Sequence, residues 1–241
     1  MPDPAFAHPR LAPLYDFFEG PRRDLDAYLD IADELGAGRV LDIGCGTGSL
    51  AIRLAARGRI VVGVDPAEAS LEIAKAKPGG SVVTWLPGDA AAASGVDADL
   101  AVMTGNVAQA FTTDEDWIRT LEEVHAALRA GGHLVFETRR PERRAWEEWA
   151  ADPAHLILDV PGIGQVEQRR QVLEVKLPLV SFRYTYRFLA DGTAISSDST
   201  LRFRDRDEVE SSLRATGYRV LDVRDAPDRP GREFVFVALR G

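Results

Sequence analysis

Cysteine is nearly absent from this 241-residue chain: Cys45 stands alone, so no intrachain disulfide and no multi-cysteine metal site can form. Lysine is scarce as well, because Lys75, Lys77 and Lys176 leave 26 arginines among the 29 basic residues. No apolar run approaches the roughly 18 to 20 residues of a membrane span. Met1 to Arg10 carries prolines where a signal peptide would carry an apolar stretch, so a cytoplasmic protein is expected, with no membrane partner. Positive charge is also in deficit, 29 basic against 38 acidic residues for a net of -9, which disfavours a broad nucleic-acid footprint. What remains, 45% apolar and 28% charged, is the mix of an ordinary globular domain.

The apolar residues show a repeating order. A helix is expected over Leu14 to Leu35, closed by Gly36 and Gly38, as a cap over residues 1–38. Short apolar runs then alternate with helical segments: Val40 to Ile43, Leu50 to Arg57, Ile60 to Val64, Glu68 to Lys75, Val82 to Leu86, Ala98 to Met103, Asp114 to Leu128 and Leu134 to Glu137. Strand, helix, strand repetition predicts an α/β fold with a doubly wound parallel sheet in a core over 39–140. Ligands of such sheets bind beyond the carboxyl ends of the strands.

After Trp149 the period changes to two. Gln165 to Phe203, with Asp191-Gly192 as a turn, predicts an antiparallel insertion of two or three strands within 160–204, expected to cover a substrate. Phe182, Tyr184, Tyr186 and Phe188 share one face, which meets the core, a ligand or a partner. A closing segment over 205–241, with a helix at Asp207 to Ala215 and strands at Tyr218 to Val223 and Glu233 to Leu239, completes a single domain over 1–241. Monomer and homodimer both remain open.

The sharpest local signal is Val40-Leu41-Asp42-Ile43-Gly44-Cys45-Gly46-Thr47-Gly48, a strand running into alternate glycines and then a helix. Such a turn lets backbone approach a ligand at a helix N-terminus. Asp65 ends the next strand, where a carboxylate can hold a ribose diol. The residue three after Gly46 is Ser49, so the spacing fits Gly-x-Gly-x-Gly better than the dinucleotide Gly-x-Gly-x-x-Gly. A carboxylate at Asp42 would sit poorly against a pyrophosphate and well against an ammonium group.

On these residues the chain resembles the class I S-adenosylmethionine-dependent methyltransferases of the small-molecule type. The resemblance implies a Rossmann-like seven-stranded sheet with an antiparallel last strand. It implies S-adenosyl-L-methionine as cofactor and S-adenosyl-L-homocysteine as product, with the methionine part over Gly44, Cys45, Gly46 and Gly48 and Asp42 at its amino end. Asp65 with Pro66 matches the family's ribose site, and Gly88-Asp89-Ala90 its adenine site. Thr104-Gly105-Asn106 takes the position after the fourth strand, and Tyr15-Asp16 is similar to a pair in the family's N-terminal cap. The reaction implied is methyl transfer by in-line displacement to an O, N or C atom of a small acceptor. An NAD(P)-dependent oxidoreductase and a non-catalytic S-adenosylmethionine-binding protein are the alternatives.

No residue announces itself as a base. The candidates for a catalytic role are Asn106, whose amide could hold substrate or cofactor or else cap its loop, Glu137, as a base or else paired with Arg139 or Arg140, and His155, which could fold over the site. The run Arg139, Arg140, Arg143 and Arg144 reads either as a helix face paired to Glu147 and Glu148 or as recognition of an anionic substrate. No metal-ligand spacing is present, so none of the site is assigned to a metal.

Overall fold

A computed structural model describes residues 2–152 and 155–241. The chain opens with α1 (Pro4–Ala7), α2 (Tyr15–Glu19) and α3 (Asp26–Glu34), then enters the core at β1 (Arg39–Ile43). There follow α4 (Ser49–Ala56), β2 (Ile60–Asp65), α5 (Glu68–Ala76), β3 (Thr84–Pro87), β4 (Ala98–Met103), α6 (Asp114–Ala127) and β5 (Leu128–Arg139). After α7 (Ala145–Ala151) come β6 (His155–Val160), β7 (Gly164–Lys176), β8 (Leu179–Phe188) and β9 (Ala194–Arg202). Helix α8 (Arg206–Ala215) and strands β10 (Tyr218–Asp225) and β11 (Glu233–Arg240) finish the chain.

Seven strands form one sheet in the order β3-β2-β1-β4-β5-β11-β10, with β11 antiparallel to both neighbours. The order reverses between β1 and β4, the switch point at which open α/β sheets bind ligands. Alternation along each strand separates two cores. On β1, β4 and β5, Leu41, Ile43, Met103, Leu134 and Phe136 face Trp117 of α6 and Leu213 of α8. Val40, Leu100, Val102 and Val135 face Leu29 of α3 and Leu54 of α4. Continuing that parity to the strand ends puts Asp42 and Glu137 on the α3 and α4 side. Two charged residues thereby finish buried strands. No helix among the described residues is long and apolar enough to cross a membrane.

Two expectations need correction. The single helix over Leu14 to Leu35 is broken: a 3-10 turn at Ala12–Leu14 and α2 end at Gly20, whose φ of 65° no helix accepts, and Pro21 follows before α3. The insertion has four strands, ordered β6-β7-β8-β9, and begins at His155 rather than near residue 160. Leu156 and Ile157 remain exposed at its edge, so β6 lacks the clean alternation that marks a half-buried strand. The Asp191-Gly192 turn does join β8 to β9. The aromatic face of β8 is packed, with Tyr186 and Phe188 on Leu11 and Leu14 of the N-terminal segment, and Phe182 edge-on to Trp149.

Candidate functional site: a cavity at the switch point

A cavity of about 320 Å³ opens at the carboxyl ends of β1 to β4. Of the residues singled out in the sequence, Tyr15, Asp42, Gly44, Cys45, Gly46, Asp65, Pro66, Gly88, Asp89, Ala90, Thr104 and Gly105 line it. Gly48 and Asn106 do not. Each glycine of the turn has a different task. A Cβ on Gly46 would meet nothing within 4 Å, so its absence of side chain keeps the cavity clear. At Gly44 a Cβ would strike Val107 at 2.6 Å, and at Gly48 it would strike Trp85 at 2.4 Å, so these two serve packing. All three adopt positive φ, which glycine alone tolerates freely.

Asp42 is 1% exposed, and its Oδ1 has no hydrogen-bond partner. Burial and the charge of Asp65 push its carboxyl up from 3.8 to about 7. Asp65 is satisfied from below: Oδ2 accepts from the Gly46 amide at 2.8 Å and Oδ1 from the Ala67 amide at 2.8 Å. A carboxylate has about four lone-pair sites, so two are left to face the cavity. Asp89 caps the turn Ala90–Ala93 by accepting from the Ala91 amide at 3.2 Å.

The N-terminal segment closes the cavity from above. Asp16 accepts from the Thr47 hydroxyl at 2.7 Å and pairs with Lys77 at 2.6 Å, which latches α2 onto the glycine turn and onto the segment after α5. Burial raises the Tyr15 phenol, so it stays a neutral donor at the cavity wall. Arg22, unnoticed in the sequence, also lines the cavity, and Asp24 grips its guanidinium at 2.7 Å. Phe6 and Phe111 add apolar walls. A lone arginine six residues beyond Asp16 carries no spacing signal, which is why only the structure brings it in.

A methyltransferase-domain profile matches residues 40–132. A demethylmenaquinone methyltransferase of Thermus thermophilus is 36% identical over 135 residues, covering 52% of this chain and 60% of that protein. The curated relatives are matched over only part of their length, from 20% to 62%. Among solved structures, an S-adenosylmethionine-dependent methyltransferase from Clostridium acetobutylicum superposes with TM-score 0.78 at 16% identity, covering 96% of this chain and 98% of that one. A sugar N-methyltransferase from a Streptoalloteichus species gives 0.78 at 18% identity, covering 94% and 92%. At such identities these two speak to the fold. Residues 40–132 thus match the methyltransferase-domain family, and the chain as a whole has the fold of S-adenosylmethionine-dependent methyltransferases.

Within this methyltransferase fold the three candidate catalytic residues, Asn106, Glu137 and His155, do not line the cavity. Glu137 pairs with neither Arg139 nor Arg140. Its carboxylate accepts a hydrogen bond from the Tyr28 hydroxyl and another from the Asn106 amide at 2.6 Å. Burial pushes it up to about 7 against these two bonds. Asn106 has φ of 61°, and its Nδ2 donates to Glu233 at 3.2 Å. The two residues therefore pin the loop 104–107 from behind. His155 sits on β6, half-exposed and 2.7 Å from Glu167, instead of folding over the site.

The basic run also resolves. Arg140 is held by the Glu233 carbonyl at 3.2 Å and Asp225 at 3.3 Å, with its guanidinium over Phe234. Arg144 pairs with Glu147 at 2.8 Å, and Glu148 pairs with Arg232 rather than within the helix. No group of three or more metal-ligating side chains occurs among the described residues.

Proposed function

We propose that the chain is an S-adenosylmethionine-dependent methyltransferase that transfers a methyl group to an O, N or C atom of a small molecule. The observation that carries this reading is Asp42, a buried carboxylate at the end of β1 with one oxygen unpartnered, on the lining of a cavity that Gly46 leaves clear. An unpaired buried carboxylate is costly, and an ammonium group on a ligand removes that cost. Arg22, on the same cavity, suits the carboxylate of an amino-acid moiety. The free lone pairs of Asp65 suit ribose hydroxyls, and Asp89 suits an adenine amino group. This donor set fits the methionine, ribose and adenine parts of one cofactor.

When bound, S-adenosylmethionine supplies a sulfonium methyl group, and S-adenosylhomocysteine leaves as product. The chain's own residues hold and align. Asp42 and Arg22 fix the amino-acid end, the latch of Asp16 on Thr47 keeps water out, and the four-stranded sheet with the N-terminal segment covers the acceptor. Alignment of this kind supplies about 7 to 11 kcal/mol of barrier reduction. An amine acceptor needs no further group. Glu137 acts through Asn106 on the cavity loop, in a positioning role. We place the enzyme in the cytoplasm, the compartment where a lone thiol such as Cys45 stays reduced, with residues 1–241 as one domain.

Thermal shift with S-adenosylmethionine, S-adenosylhomocysteine, NAD and NADP tests the assignment, since a ligand at 100 times its Kd stabilises by about 2.7 kcal/mol. We expect stabilisation by the two adenosyl sulfur compounds alone, lost in Asp65→Ala. A shift only with the nicotinamides overturns the reading. Binding without release of S-adenosylhomocysteine across amine, phenol and carboxylate acceptors would leave a non-catalytic binder.

A further inference from the structure

Behind the turn that walls the cavity lie two arginines that lack a close carboxylate partner. Arg139, at the end of β5, donates from Nη1 to Gln109 Oε1 at 3.0 Å. Among the described residues its only carboxylate within 4 Å is Glu233, 3.9 Å away and already engaged by Arg229 at 2.9 Å and Asn106 at 3.2 Å. Burial pulls the Arg139 guanidinium below its ordinary pKa, the sign of a cation short of compensation. Arg170 on β7 forms no ion pair among the described residues. Its Nε is buried without a partner, and its Nη2 reaches only the Asp152 carbonyl at 3.3 Å. Arg183, on the neighbouring strand, by contrast holds Asp198 through two bonds at 2.5 and 2.7 Å.

Both cations approach one side chain. Their guanidinium carbons lie 5.2 and 5.5 Å from the same ring, that of Trp149 on α7. Arg170 stands directly opposite Tyr184 on β8, on the sheet face that carries Phe182. Tyr184 lies edge-on to Phe182 at 5.7 Å, and Phe182 in turn lies edge-on to Trp149 at 5.5 Å. Gln109, which holds Arg139, belongs to the turn Val107–Ala110, and Val107 and Ala110 line the cofactor cavity. A groove along Trp149, Arg170 and Val172 opens this region to solvent.

We propose that Arg139 and Arg170, framed by Trp149 and Tyr184, form an acceptor subsite for the carboxylate of an aromatic acid. Two guanidinium forks match a planar oxyanion, and the aromatic walls match an unsaturated ring. The carboxylate then sits across the Val107–Ala110 turn from the cofactor cavity, next to the residue that holds that turn. This inference rests on the methyltransferase reading and names its substrate class. It also separates Arg139 from Arg140, whose guanidinium is already satisfied.

The test is binding of benzoate and of neutral benzamide to the full chain saturated with S-adenosylhomocysteine, followed by tryptophan fluorescence and by titration calorimetry. Benzoate should bind and benzamide should not. Arg139→Gln and Arg170→Gln should each weaken benzoate by about tenfold or more, while Arg140→Gln leaves it unchanged, and Arg170→Gln and Arg140→Gln bind S-adenosylhomocysteine as before. If Arg139→Gln fails to fold, Arg170→Gln on the insertion sheet decides the matter alone. Equal binding of benzoate and benzamide, or benzoate affinity indifferent to both arginine substitutions, overturns the subsite. Failure of S-adenosylhomocysteine to bind would instead overturn the function on which it rests.

Discussion

Acidification should loosen the cofactor while it relieves the fold, because the same carboxylate serves both in opposite senses. Asp42 lies up at about 7 in the free protein against an ordinary 3.8, pushed there by burial and by Asp65. An ammonium group against its free oxygen requires the ionised form, so binding draws the pKa down and expels a proton. Affinity for S-adenosylhomocysteine should therefore fall about tenfold, or about 1.4 kcal/mol, for each pH unit below about 7. The fold responds with the other sign. Because the folded pKa lies above the unfolded one, the native state keeps a proton that the unfolded chain has lost between 3.8 and about 7. Stability from this group is thus fullest below that window and declines as pH rises through it. Ionising Asp42 in place costs on the order of 4 kcal/mol relative to the unfolded chain, and Asp42→Asn recovers part of that at pH ~8. Calorimetry in two buffers of different ionisation enthalpy, together with melting of the ligand-free protein, reads both sides. We expect close to one proton released per ligand near pH ~6, a melting temperature that Asp42→Asn raises, and an affinity that it destroys. A Kd flat across the window with no proton released refutes the reasoning, as does a variant that keeps both the affinity and its pH slope.

Breaking the latch by Asp16→Ala removes the Thr47 bond and the Lys77 ion pair; the half-exposed pair contributes about 0.2 to 1 kcal/mol of stability, so the fold should survive while S-adenosylhomocysteine dissociates several-fold faster in stopped flow. Gly44→Ala drives a Cβ into Val107 and strains a φ of 68°, and should cost about 1 to 3 kcal/mol in chemical denaturation together with cofactor affinity; a wild-type melt would contradict it. Glu137→Gln keeps the shape and removes a carboxyl raised to about 7, so it should steady the fold above neutral pH but leave kcat largely unchanged and independent of that group. Loss of an ionisation near 7 from the kcat profile would instead make Glu137 a base.

Much of the architecture was legible because the parallel sheet is buried on both faces. Its strands read as short apolar runs, and the runs at Ala98 to Met103 and Glu233 to Leu239 fall within a residue of the observed strands. Legibility failed where tertiary packing overrode local pattern. The stretch from Leu14 to Leu35 has helical spacing on both sides of Gly20, and a periodicity summed over the whole stretch hides a break made by two residues. Strand β6 is a solvent-facing edge, and exposed Leu156 and Ile157 gave no alternation to detect.

The site divides along the same physical line. Residues that touch the cavity through backbone geometry, such as Gly46, or through a strand-end carboxylate, such as Asp42 and Asp65, stand at spacings that the fold itself imposes. Arg22 reaches the cavity from a loop between α2 and α3, where no period constrains it, and the pairing of Glu137 with Tyr28 spans 109 residues. Parity along β5 does say that Glu137 turns to the α3 face with Val135, away from Phe136. Had that parity been carried one helix further, a strand-end glutamate facing Tyr28 would have read as a buttress for the loop at Asn106, and the arginine two residues on would have been left as the cation in want of a partner.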